Sequence, residues 1–113
     1  MSISYEHQLL MRIALGKFDE WNKDKKYVSV ISCPTVGYAF ENKDRKKRVV
    51  IQYKPDLEIP DCAGAVPDPY ISCPDGVYLK VIETENYEKI GIFYIEDKSS
   101  IKLIPHYLDR WAR

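Results

Sequence analysis

Near residue 26 the spacing of apolar side chains changes from that of a helix to that of a strand, and this switch constrains the fold more than any other feature. Over residues 4–24, Tyr5, Leu9 and Ile13 recur at every fourth position, with Leu10, Ala14, Phe18 and Trp21 in the adjacent row. Such a face is wide enough to lie on a sheet. Ser2 or Ser4 can cap its start and Glu6 complements the first turn, while the cluster Lys23-Asp24-Lys25-Lys26 closes the pattern with cations. Gly16 costs such a helix about 1 kcal/mol relative to Ala and reads as a point where a strand passes close.

From Tyr27 onward the period is two. Stretches rich in Val, Ile, Tyr and Phe predict strands at 27–32, 36–40, 47–54, 77–83, 89–95 and 100–104. Residues 41–46, 84–88 and 96–99 carry the polar turn residues of hairpin loops, so neighbouring strands should run antiparallel. Pro105 then opens a short terminal helix in which Leu108 and Trp111 share a face and Asp109 reaches Arg113 one turn on. The predicted class is α+β: an N-terminal amphipathic helix packed on a mostly antiparallel sheet of five or six strands, open or curled into a small barrel, with a short C-terminal helix. That element order is shared by small barrels of the Sm kind, by cystatin-like sheets and by small inhibitor or immunity proteins. Order alone does not choose between them.

At 113 residues and 45% apolar composition, the chain reads as one domain, 1–113, large enough to build a core without metals or cross-links. Seventeen basic and seventeen acidic residues cancel, so no global field draws in nucleic acid or an anionic membrane. The apolar stretch Leu9–Leu15 is interrupted by Arg12 and lacks the flanks of a secretion signal, and no run is long enough to span a bilayer. Three cysteines, Cys33, Cys62 and Cys73, are an odd number that fits a reducing cytoplasm, with a Cys62–Cys73 bridge left open.

Alternation assigns Val49, Ile51, Tyr53, Val77, Leu79, Val81, Ile90, Ile92 and Tyr94 to the face beneath the helix. The opposite face is not cleanly polar. Val50, Tyr78, Ile82, Phe93, Ile95 and Ile104 fall there among Gln52, Lys80 and Lys102, so a cover is expected: the terminal helix, the long loop, closure of the sheet, or another chain. The loop, residues 55–76, holds five of the seven prolines and five acids without a Lys or Arg. Loops of this length in compact domains tend to be functional or disordered.

Two surface features point to binding. The acids Asp56, Glu58, Asp61, Asp68 and Asp75, with Tyr70 as an anchor and Tyr78 and Phe93 beside them, suit the docking of another, basic protein such as a toxin or enzyme. The leading expectation is therefore a non-catalytic binding module, an inhibitor or immunity-type protein that occludes its partner; a homodimer would use the same face. The alternative is RNA or single-stranded nucleic acid held by Lys43, Arg45, Lys46, Lys47 and Arg48 of the basic hairpin, with Tyr38 for stacking. A third reading, a small hydrolase or nuclease, needs His106 to meet His7 or Cys33. No metal-ligand spacing or phosphate-binding glycine motif occurs, so neither a metal nor a cofactor is expected.

Overall fold

The computed structural model describes residues 4–53 and 75–113. Helix α1 spans Tyr5–Trp21, and the strands β1 (Val28–Cys33), β2 (Gly37–Asn42), β3 (Lys47–Tyr53), β4 (Val77–Glu83) and β5 (Lys89–Ile95) follow. A 3-10 turn, Ser100–Leu103, leads straight into α2, Ile104–Trp111. The strands form one open antiparallel sheet in sequential order, β1-β2-β3-β4-β5, which does not close into a barrel.

Ser4 caps α1, its hydroxyl accepting the His7 backbone N–H at 3.2 Å. The buried row is Leu10, Met11, Ala14 and Phe18, whereas Tyr5 is exposed and Leu9 and Ile13 sit at the margin. The helix is thus rotated by about one row from the expected Tyr5-Leu9-Ile13 seam. Gly16 is a second correction, since a Cβ built there meets nothing within 4 Å and no strand passes close.

The side chains under α1 and α2 form one core. Tyr38 and Phe40 from β2, Val49 and Ile51 from β3, and Val77, Leu79 and Val81 from β4 meet Phe18, Ile101, Ile104 and Leu108 there. Phe18 lies at its centre, with ring centroids 4.3 Å from Phe40 and 5.9 Å from Trp21. Burying large apolar side chains on this scale supplies the main stabilisation, about 1.5–3 kcal/mol for each one fully removed from water.

Strand β5 presents the opposite parity from the one expected. Its partners are Val77 for Ile95, Leu79 for Phe93 and Val81 for Gly91, so Gly91, Phe93 and Ile95 face the helices and Ile92 and Tyr94 face away. Both parities of Lys89–Ile95 are apolar apart from Lys89 and Gly91, so alternation had no polar side to read. Packing of α2 decides it. Trp111 lies over Gly91, where a Cβ would come within 2.3 Å of the indole, and Tyr107 stacks on Phe93 at 4.4 Å.

The predicted sixth strand at 100–104 is also overturned. Ile101, Ile104 and Leu108 are all buried at i, i+3, i+7, which is helical spacing. Asp97 begins the turn, accepting the Ser100 N–H at 3.1 Å and the Ser99 hydroxyl, and the Ser99 bond chiefly holds its carboxyl below the usual carboxylate range. Pro105 sits in the first turn of α2, and Arg113 Nε binds Asp109 at 2.8 Å, both as expected.

Candidate functional site

The two faces of the sheet differ in chemistry. On the face away from the helices, Val50, Tyr78 and Ile82 alternate with Arg48, Gln52 and Lys80, and all six are buried. Arg48 donates to Glu41 of the neighbouring strand at 2.7 Å, with both side chains largely removed from solvent. The terminal helix does not cover this face, because Ile104 and Leu108 belong to the core on the other side. Phe93, Ile95 and Ile104, expected on the outer face, all pack on the helix side.

The acidic site splits accordingly. Asp56, Glu58, Asp61, Asp68 and Tyr70 lie outside the described residues, as do Cys62 and Cys73, while Asp75 is exposed. Tyr78 is 4% exposed and stacks on Tyr94 at 4.9 Å, on the outer face. Phe93 is half-buried on the opposite face, so Tyr78 and Phe93 are not brought together.

The basic hairpin disperses its charges. Lys46 is paired to Glu85 at 2.6 Å, a contact that raises its pKa; Lys47 donates to the Arg113 carbonyl at 2.7 Å; and Arg48 turns to the outer face. Lys43 and Arg45 remain exposed. Tyr38 and Phe40 are buried in the core, where neither offers a ring to a stacking base. The residues of the hydrolytic reading have separate neighbours: His7 binds Ser4 and lies 5.1 Å from Tyr53, His106 lies 5.3 Å from Tyr107, and the half-buried Cys33 contacts Thr35. Among the described residues no contact joins any two of the three, and no group of three or more metal-ligating side chains occurs. No described helix is long and apolar enough to cross a membrane.

The feature that sequence reasoning passed over is β1. It forms one edge of the sheet, and among the described elements its extensive contacts are with β2 alone. It lies beyond the helical layer. Ser29 and Ser32, which pair with Phe40 and Tyr38, are exposed, and so are Val28 and Val30 at 62% and 46%. Ile31 and Cys33 are half-buried, but exposed positions such as 28 and 30 have no folding reason to be apolar, and Thr would meet the strand preference there as well as Val. Yet Val28–Cys33 reads Val-Ser-Val-Ile-Ser-Cys, without a charge or a proline. Those residues commonly blunt an open edge. One guard is present: the register shifts between Ser29 and Ile31, a bulge at Val30 that bends the strand. The mismatch between wetting and composition was visible only once the strand order placed β1 at an edge.

Compared with protein-family models, with curated proteins and with solved structures, the chain finds no match in any of the three.

Proposed function

We propose that the protein is a non-catalytic binding module of the cytoplasm, an inhibitor or immunity-type protein that occludes another protein by taking an extended segment of it along β1. The observation that carries this reading is an uncharged edge strand rich in β-branched residues, in which Val28, Ser29, Val30 and Ser32 are exposed and Ile31 and Cys33 half-buried. Strand addition there would satisfy outward backbone groups and bury Val28 and Val30. The bulge at Val30 disfavours flat pairing between identical edges, so a different chain, matched to the bent edge, is the expected occupant. The surplus of acids over residues 55–76 favours a basic partner.

The test is affinity capture from host lysate, with and without nuclease, using the native chain beside a Val28→Lys/Val30→Lys variant of unchanged melting temperature. The reading expects a stoichiometric, nuclease-resistant protein held by the native chain and lost by the variant. Equal capture by both, or capture that nuclease abolishes, rejects it.

A further inference from the structure

A small pocket of about 130 Å³ lies where the end of α1, the residues preceding β1, the β2–β3 hairpin and the end of α2 converge. One wall is Tyr27, 4% exposed, whose hydroxyl donates to the Ala112 carbonyl. Asn22, also buried, is tied to Tyr27: its amide donates to the Tyr27 carbonyl at 2.8 Å and its oxygen accepts the Tyr27 N–H at 3.0 Å.

Asn42 is different. It is 5% exposed and lines the pocket, and its oxygen accepts the Arg45 N–H at 3.2 Å. Its Nδ2 group gives no hydrogen bond to any described residue. Lys26 and Arg45 stand on the rim, exposed, and neither is ion-paired among the described residues. Arg113 adds a third cation, tied to Asp109 at 2.8 Å and lying 5.7 Å from the Trp21 ring. Against these, Asp24 is the one acidic side chain among the described residues of the lining.

The pocket therefore offers an amide donor and two cations without a partner among the described residues, while each lining asparagine oxygen already accepts one backbone N–H. We infer that it is a binding site for a small oxyanion, a phosphate or carboxylate group borne by a ligand, held by Arg45 and Lys26 with Asn42 Nδ2 beneath. Three segments distant in sequence, 21–27, 42–45 and 112–113, build it; it adjoins the start of β1 but uses no residue of Val28–Cys33. Charge-assisted hydrogen bonds from a guanidinium supply most of the hold.

Titration of the full chain with inorganic phosphate, and separately with acetate, tests this at low ionic strength. The readouts are Trp fluorescence and the Asn42 side-chain amide resonances. Saturable binding of phosphate, with movement of the Asn42 amide pair and a loss of about tenfold in Arg45→Gln, supports the site. The same pattern for acetate alone supports it as a carboxylate site. Lys102→Gln, an exposed cation on the turn before α2, serves as the control and should bind as the native chain does. If neither anion moves the Asn42 amide, or if Arg45→Gln binds as tightly as Lys102→Gln, the inference is overturned.

Discussion

The two edge strands of this sheet both carry apolar residues and are held in different ways. β5 is braced from one side: α2 lies along it, Trp111 fills the space above Gly91, and Tyr107 stacks on Phe93. Among the described elements β1 is held by its ladder to β2, with four of its six residues exposed. Phe93 and Ile95 of β5 are explained by the core they join, while Ile90, Ile92 and Tyr94 face away from it. Val28 and Val30 of β1 have no such explanation, and a strand whose composition exceeds its structural duty is the place to look for a partner.

The asymmetry can be broken first at its strongest point. Leu108→Ala, fully buried beneath α2, should cost about 2–5 kcal/mol in denaturant unfolding, whereas Val28→Ala should cost less than about 0.5 kcal/mol. Comparable losses would mean that β1 shares the core after all. Alkaline pH probes the junction leading into β1. Burial pushes the Tyr27 hydroxyl up to about 12, against an opposing pull from Arg45. Below pH 10 the phenol is protonated whether the chain is folded or not, so its contribution is fully present. As pH rises from 10 towards 12 the unfolded chain ionises first, and about 2–3 kcal/mol should be lost. Tyr27→Phe should flatten that decline, read as stability against pH, while starting lower by about 1 kcal/mol for the missing bond to Ala112.

Glycine separates covered from uncovered surface more finely. Gly91→Ala drives a methyl into the Trp111 ring and should destabilise by about 1–3 kcal/mol, with a change in Trp fluorescence. Gly16→Ala meets open space on an exposed helix face and should stabilise by about 0.4–1 kcal/mol in thermal melts. Smallest of all, Val28→Lys with Val30→Lys should leave stability within about 0.5 kcal/mol per site, since neither side chain is buried.

Much of the fold was legible because local period and turn chemistry agree with it. The switch near residue 26 separates α1 from the sheet, polar turns mark the hairpins, and Asp109 and Arg113 meet as their spacing requires. What failed did so where local pattern is degenerate. β5 is apolar at both parities, so only the return of α2 over Gly91 could orient it. Ile101, Leu103 and Ile104 fit a strand or a helical turn equally until Asp97 caps the latter. The binding features were less legible still. The basic run in the hairpin looked like one patch, yet pleating sends Arg48 to the outer face while Lys46 is drawn to Glu85. The pocket beside Arg45 joins Lys26, Asn42 and Arg113, whose spacing in the chain carries no sign of their meeting.

Amide hydrogen exchange, comparing the free chain with its complex with the captured protein, addresses the β1 assignment most directly. Slowed exchange confined mainly to residues 28–33, with 89–95 unchanged, is the predicted result. A complex that slows β5 or the helices and leaves β1 exchanging as in the free protein would contradict it.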